Sequence, residues 1–265
     1  GLDDDKKKVV VDFVSDNADF LNGLDLKDGK KEILLKYVAE NPDLLKDLDD
    51  DKKKIAIDFV VNNQDILDKL DDEKQRKVVV DFVAKNEGVL DDVKTDEEKE
   101  VVVNFIANNE DVLNGLDDEK QRKVIIDFVA ENPNFFDSLG LNDDEKKVAI
   151  EFVAKNQDLL KDLSYEKKQV VVDFVAKNAD FFDKLDDDKK TIAVDFIANN
   201  QDLLKDLSDE DKQVVIDYMV KNPDALNNLS DEEKQVKINA IVSGEEGIDQ
   251  INNDIKGLSD KQIQV

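Results

Sequence analysis

The amino-acid sequence predicts an all-α fold, an extended and superhelical array of about eleven tandem helix–turn–helix repeats, each with a long and a short helix. Three regularities lead to this prediction. A similar segment recurs about every 23 residues, since ten copies occupy the 227 residues from 2 to 228. Each of these copies opens with residues that favour helix starts, continues with apolar residues at helical spacing, and stops at an asparagine.

A leucine opens ten of the repeats, and Val93 opens the fifth. The repeats begin near residues 2, 24, 48, 70, 93, 116, 139, 163, 185, 207 and 229. Residues 1–265 are therefore predicted to form a single repeat array. The segment 229–257 departs from the pattern and is interpreted as a degenerate repeat, and 258–265 as the start of a truncated further repeat. Because the sequence starts at a repeat boundary and stops within a further repeat, it favours a fragment of a longer repeat protein.

The long helix of a repeat is predicted from segments such as 207–228. Ser208 stands at an N-cap position and Asp211 follows three residues later, which is the capping-box pattern. The Asp runs at 3–5, 49–51 and 186–188 are likewise interpreted as N-caps and first-turn acids. Residues 214–220 are apolar around about two-thirds of the helix, which requires cover from several sides. Runs of valine favour strands by propensity, but the caps and charged first turns favour a helix.

An asparagine ends the long helix at one position in ten repeats, and Gly244 takes this position in the eleventh. Because Asn and Gly both tolerate a positive φ, we expect a left-handed C-cap there. The asparagine side chain is also a candidate N-cap for the short helix. Pro42, Pro133 and Pro223 directly follow this asparagine, where a proline suits the first position of a new helix. The asparagines are Asn17, Asn41, Asn63, Asn86, Asn109, Asn132, Asn156, Asn178, Asn200 and Asn222.

An aromatic residue four positions before each of these asparagines predicts a buried column of rings. Ala240 replaces the ring in the eleventh repeat. We expect the loss of one ring to cost about 3–5 kcal/mol of stability. The damage should remain partly local, because the units of a repeat stack contact only their neighbours. The ring residues are Phe13, Tyr37, Phe59, Phe82, Phe105, Phe128, Phe152, Phe174, Phe196 and Tyr218.

A polar residue precedes each ring, and the acidic members of this column are the candidate partner-binding site. Helices packed about 8–10 Å apart would arrange them as a row of carboxylates. One interpretation is an acidic ladder for a basic protein partner or for loosely held cations. The other is a solvated stripe, paired within each helix to Lys85, Lys155, Lys177 or Lys221. The members of this acidic ladder are Asp12, Asp58, Asp81, Asp127, Glu151, Asp173, Asp195 and Asp217.

Several functional classes find little support in the composition. The 265 residues include no His, Cys or Trp, which removes disulfides, the usual zinc sites, and catalysis by His or Cys. A net charge of −28 argues against nucleic acid and anionic membranes as partners, and no apolar run is long enough for membrane insertion. We expect no cofactor and no metal site, because neither a phosphate-binding glycine loop nor an EF-hand pattern occurs.

Helix–turn–helix units at a fixed short spacing resemble the α-solenoid class, which includes tetratricopeptide, HEAT and armadillo repeats. The resemblance covers almost the whole chain but concerns architecture alone, because the sequence motifs of those families are missing and their periods are longer. It implies a curved or superhelical rod that offers a surface to another macromolecule. We therefore expect a non-enzymatic structural or protein-binding module of a surface-exposed microbial protein, with an extracellular or cell-surface location slightly favoured.

Two alternatives stay open at this point. An engineered or consensus-derived scaffold without a natural ligand would also repeat in this way, although designers favour Leu and Ala in helices. A hydrolase that uses paired carboxylates is the other alternative, although 66 acidic residues make any single pair uninformative.

Overall fold

The computed structural model describes residues 3–23 and 26–244, apart from the side chain of Asp28, and this part of the chain contains helices and turns but no strand. The all-α prediction is confirmed. Eleven helices of thirteen residues each are the long members of the repeats. They are α1 (Asp4–Asp16), α3 (Asp28–Glu40), α4 (Asp50–Asn62), α6 (Glu73–Lys85), α7 (Asp96–Asn108), α9 (Glu119–Glu131), α11 (Asp143–Lys155), α13 (Tyr165–Lys177), α15 (Asp187–Asn199), α17 (Asp209–Lys221) and α18 (Asp231–Ser243). The short helices are α2 (Ala18–Gly23), α5 (Gln64–Leu67), α8 (Glu110–Gly115), α10 (Phe135–Ser138), α12 (Gln157–Leu160), α14 (Ala179–Phe182) and α16 (Gln201–Leu204).

A side chain at the N-cap starts ten of the eleven long helices by accepting a hydrogen bond from the backbone N–H three residues later. The exception is α3, where Lys27 stands at the N-cap. The reciprocal capping box is complete at Thr95, Asn142 and Ser230. At Ser208 it is incomplete, because the carboxylate of the third helical residue accepts from the serine hydroxyl instead. The observed caps, which include the predicted Ser208 and one residue of each predicted Asp run, are Asp3, Asp49, Asp72, Thr95, Asp118, Asn142, Ser164, Asp186, Ser208 and Ser230.

The left-handed C-cap is confirmed for Gly244, at φ 65°, but it is wrong for the asparagines. Their φ angles lie between −137° and −121°. Each asparagine Nδ2 instead donates a hydrogen bond of 2.7–3.0 Å to the carbonyl of the ring residue one turn earlier. The side-chain amide thus gives this carbonyl a donor without a left-handed residue. In five repeats the backbone N–H of the asparagine donates to the same carbonyl, at Asn17, Asn41, Asn132, Asn156 and Asn222. The predicted side-chain cap of the following short helix is absent at Asn63, Asn109, Asn156, Asn178 and Asn200.

The predicted short helix forms in seven of the described repeats, but turns replace it at 42–47, 87–92 and 223–228. The helix-starting role of proline is therefore wrong at Pro42 and Pro223, and it is also wrong at Pro133, because α10 begins two residues later at Phe135. A residue before proline is kept out of the α region, and ψ is 71° at Asn41 and 64° at Asn222. In the fourth repeat, Gly88 adopts a φ of 76° and starts a comparable turn.

Consecutive long helices pack against each other within two compact units, Gly1–Phe135 and Phe136–Val265. Rings of the long helices meet phenylalanines of the short segments edge to face. The ring centroids of Phe128 and Phe135 are 4.9 Å apart, and those of Phe152 and Phe182 are 5.4 Å apart. The repeats therefore share one apolar layer within each unit.

Packing also reaches beyond the neighbouring repeat. Helix α5 of the third repeat packs on α7 of the fifth, and α16 of the ninth packs on α18 of the eleventh. The expectation that units contact only their neighbours is therefore wrong. The physical reason is that apolar side chains occupy a wide part of the circumference of each long helix. The adjacent long helices alone do not cover all of these side chains.

In the eleventh repeat α18 forms at the expected place, while residues 245–265, including the predicted truncated repeat, lie outside the described residues. Across the described ranges, every helix is too short or too polar to cross a lipid bilayer.

Candidate functional site

The acidic ladder occupies one position on the long helices, directly before the ring residue, and none of its eight members is fully buried. Their hydrogen bonds and ion pairs divide them into three groups. This division is the main structural information about the candidate site, because a carboxylate that already has a lysine partner offers less charge to another molecule.

Three members form the ion pair with a lysine one turn later in the same helix. Such exposed pairs stabilise a helix by about 0.3–0.5 kcal/mol each. The hydrogen bond from Lys177 to Asp173 also raises the pKa of that lysine. The pairs are Glu151–Lys155 at 3.8 Å, Asp173–Lys177 at 2.7 Å and Asp217–Lys221 at 2.5 Å.

Two further members, Asp81 and Asp127, are partly buried and pair with a lysine one turn earlier. Lys77 Nζ lies 3.0 Å from Asp81, and Lys123 Nζ lies 3.3 Å from Asp127. Lys77 thus forms the ion pair with Asp81 that the sequence analysis expected of Lys85. Burial raises the pKa of Asp127 although Lys123 opposes this effect, and the Oδ1 atom of Asp81 is buried and has no hydrogen-bond partner in the described part of the chain. Their burial gives these two carboxylates a structural role in the scaffold.

The same two lysines belong to clamps that hold an earlier repeat. In the fourth repeat, Arg76 Nε donates to Asn41 Oδ1 at 3.1 Å, and the adjacent Lys77 contacts Asp47 at 3.3 Å. Asn41 directly precedes the turn segment 42–47 of the second repeat, and Asp47 is its last residue. The two cations of this Arg–Lys clamp therefore hold both ends of a segment that belongs two repeats earlier.

A second Arg–Lys clamp repeats this arrangement between the sixth and fourth repeats. Arg122 Nε donates to Asn86 Oδ1 at 2.6 Å, and Lys123 Nζ lies 2.5 Å from Asp92. Burial lowers the pKa of Lys123, but the bonds to its two carboxylate partners outweigh burial and raise this pKa. The bond to Lys123 lowers the pKa of Asp92. Arg122 Nη1 also donates to the Leu116 carbonyl at 2.8 Å, so that the guanidinium joins three chain segments.

Sequence reasoning missed both clamps, although a signal was present. The chain has only two arginines, and both stand in the same octapeptide, Asp-Asp-Glu-Lys-Gln-Arg-Lys-Val, at 71–78 and 117–124. A residue type that occurs twice, in identical surroundings two repeats apart, indicates a specific structural role. Its partners could not be deduced, because the repeat period does not say which repeats come into contact.

The remaining ladder members, Asp12, Asp58 and Asp195, are exposed and form no ion pair among the described residues. Asp58 accepts a hydrogen bond of 3.0 Å from Asn62 of its own helix. These three carboxylates therefore keep their full charge at the surface, and the structure assigns them no partner cation within the described ranges.

Two of these carboxylates line grooves at equivalent places in their repeats. Asp12 lines a groove of about 550 Å³ between the end of α1, the turn at Pro42 and the start of α4. Asp195 lines a groove of about 390 Å³ between the end of α15, the turn at Pro223 and the start of α18. Each groove thus takes its walls from three successive repeats, as the packing beyond nearest neighbours requires.

The described residues do not bring three acidic side chains together in a metal-binding arrangement. Comparisons of the chain with known protein families, with curated proteins and with solved structures found no match.

Proposed function

We propose that the chain is a non-enzymatic protein-binding module, built as an extended α-solenoid, that recognises a basic surface of a partner protein. One observation carries the proposal. Asp12, Asp58 and Asp195 are exposed without an ion pair in the described part of the chain, whereas the other five ladder members are paired with lysines. Exposed carboxylates without a counter-charge favour a cationic partner through complementary potential.

Tandem packing of long helices of equal length supports the solenoid part of the proposal. Eleven repeats at about 9 Å each would form a rod of about 100 Å, with a radius of gyration of about 30 Å. A compact chain of this length has a radius of gyration of about 18 Å. Small-angle X-ray scattering distinguishes the two values. A radius of gyration near the compact value would contradict the extended shape but would not affect the binding proposal.

Binding to a defined cationic probe tests the role of the ladder. A fluorescent oligolysine peptide should bind the chain at low ionic strength and dissociate as salt is added, because screening weakens exposed charge pairs. The triple variant Asp12→Asn, Asp58→Asn, Asp195→Asn should bind about tenfold more weakly, since each exposed contact contributes about 0.2–1 kcal/mol.

A matched control separates the ladder from the general negative charge. The variant Asp162→Asn, Asp183→Asn, Asp206→Asn removes the same charge from three exposed loop carboxylates outside the ladder. We expect it to bind nearly as well as the unchanged chain. Equal losses in both triple variants would mean that only net charge matters and would remove the ladder as a binding site.

A further inference from the structure

The grooves at Pro42 and Pro223 are built from the same positions of the repeat. Each of the ten residues that line the groove at Pro223, the second groove, has its counterpart among the residues that line the groove at Pro42, the first groove. All of these lining residues lie in the described part of the chain, within three successive repeats. The same kind of site therefore occurs in each of the two compact units. Among the identical pairs are Asp12 and Asp195, Phe13 and Phe196, and Lys53 and Lys234.

The charge that remains unpaired in both grooves is negative. Each lysine that lines a groove lies 3.5–3.8 Å from a carboxylate three residues earlier in the chain. The ladder carboxylates Asp12 and Asp195 form no ion pair among the described residues, and neither does Asp16, which lines the first groove one turn after Asp12. A cationic group that enters either groove therefore meets a carboxylate without a counter-charge.

Other repeats of the chain carry an arginine at the corresponding place. Arg76 and Arg122 hold the fourth position of their long helices, which Lys53 and Lys234 hold at the grooves. Each arginine donates from Nε to the cap asparagine two repeats earlier, at 3.1 Å and 2.6 Å. At the first groove Lys53 Nζ makes this contact instead, at 3.0 Å from Asn17. A lysine ammonium lacks the planar fork of a guanidinium, so the chain supplies no such group at the grooves.

The rim of both grooves is open at a position where another repeat forms an ion pair. Lys46 and Asn227 are exposed residues at the rim of the first and second grooves. In the sixth repeat Asp137 occupies this position and accepts a hydrogen bond of 2.7 Å from Lys146, the counterpart of Lys53. Lys46 has the same charge as Lys53, and Asn227 has no charge. Neither groove can therefore be closed by this ion pair.

We propose that each groove receives an arginine side chain of the basic partner. The inference rests on the proposed function and specifies the side chain that the acidic ladder recognises. The guanidinium donates two parallel hydrogen bonds to the ladder carboxylate, Asp12 or Asp195. The methylene stem lies along the apolar wall, which includes Phe13 and Leu45 in the first groove. The groove volumes of about 550 and 390 Å³ are in the range of small-ligand sites and admit one such side chain.

Two fluorescent peptides of equal length, oligoarginine and oligolysine, test the inference on the full chain at low ionic strength. Fluorescence anisotropy should show about tenfold tighter binding of oligoarginine, because a guanidinium and a carboxylate share two hydrogen bonds. Equal affinities would overturn the arginine site and leave the proposed function standing. If neither peptide binds, the proposed function itself is contradicted, and the arginine site with it.

A rim variant locates the preference for arginine, which any exposed carboxylate could contribute to. Lys46→Asp with Asn227→Asp places an acid where Asp137 stands in the sixth repeat, so that it should pair across each groove with Lys53 or Lys234. The variant is more acidic than the unchanged chain, and general electrostatics would strengthen the binding of both peptides. Closed grooves should instead weaken oligoarginine binding about tenfold, to the affinity of oligolysine.

A matched control makes the same charge change outside the grooves. Lys184→Asp with Asn114→Asp alters two exposed residues that line neither groove, and this variant should keep its preference for oligoarginine. Because all four positions are exposed, circular dichroism should show unchanged helix content in both variants. A preference for oligoarginine that survives in the rim variant would overturn the grooves as the arginine sites.

Discussion

At the scale of single residues, the cap asparagine combines two structural tasks. Asn178 is 4% exposed, its Nδ2 donates to the Phe174 carbonyl at 2.8 Å, and its Oδ1 accepts from Gln213 Nε2 at 2.6 Å. The first bond ends the helix, and the second joins the eighth repeat to the tenth. A backbone cap would provide only the first bond, whereas the amide side chain also accepts a bond from a later repeat at Asn17, Asn41, Asn86 and Asn178.

Substitution of Asn178 tests this dual role. Both Asn178→Ala and Asn178→Gly should lower the free energy of unfolding by about 1–3 kcal/mol, because each removes the side-chain donor to the buried Phe174 carbonyl and the acceptor of the partly buried Gln213 amide. Urea denaturation measures the loss, and Asn104→Ala, at the exposed position directly before the ring residue Phe105, serves as the control. A glycine variant as stable as the unchanged chain would instead support the left-handed cap.

Tyr37 is a second residue with a measurable individual effect. Its side chain is 2% exposed, burial strongly raises the pKa of its hydroxyl, and that hydroxyl has no hydrogen-bond partner among the described residues. Tyr37→Phe should therefore raise the free energy of unfolding by about 1 kcal/mol, since an unsatisfied polar group is removed. Chemical denaturation measures this gain. Tyr218→Phe, at a less buried ring position, should change little, and a destabilised Tyr37→Phe would show that the hydroxyl has a partner in solution.

At the scale of elements, the sequence predicted the long helices better than their contacts. An N-cap residue and the first-turn residues that it contacts lie within four positions of each other, so the sequence alone shows where a helix starts. The long helices begin where Ser208 and its counterparts predict. The prediction of a left-handed C-cap was wrong because an asparagine can end a helix in two ways, with a positive φ or with a side-chain hydrogen bond. The sequence is the same in both cases, and only the coordinates distinguish them. Likewise, the ladder was visible as a column, but whether Asp81 pairs with Lys77 or Lys85 depends on local burial.

The Arg–Lys clamp makes a prediction about two separate elements. Arg122→Met and Asn86→Ala should each destabilise the chain, and the double variant should lose less than the sum of the two. We expect a coupling energy of at least about 0.5 kcal/mol, because the Arg122–Asn86 bond is broken by either change. A double-mutant cycle by urea denaturation measures it. The same cycle with Lys120→Met, at an exposed position of the same helix, should be additive, and additivity in both cycles would contradict a clamp that contributes to stability.

At the scale of the whole molecule, charge is balanced locally but not globally. Many lysines pair with an acid three or four residues away in the same helix, as Lys7 does with Asp4 and Lys212 with Asp209. The 38 basic residues nevertheless leave a net charge of −28 against 66 acids. The surplus acts over distances longer than a single helix, where only dissolved ions can screen it.

Stability should therefore rise with ionic strength. We expect a higher melting temperature at about 0.5 M salt than at about 0.01 M, because screening reduces the self-repulsion of the folded chain. Differential scanning calorimetry in sodium chloride and in choline chloride measures the effect, and equal shifts in both salts would indicate screening rather than a specific cation site. An unchanged melting temperature would mean that the acids are already neutralised.

The Arg–Lys clamps also specify which repeats can stand two places apart among the second, fourth and sixth. If recombination removed only the fifth repeat, 93–115, the sixth repeat would meet the third, where Lys69 takes the place of Asp92 and would face Lys123 with a like charge. Removal of the third and fourth repeats together, 48–92, would instead bring Lys123 to Asp47, which carries the required charge. Around these clamps, a change in length by two repeats keeps an opposite charge opposite Lys123, whereas a change by one repeat replaces it with a like charge.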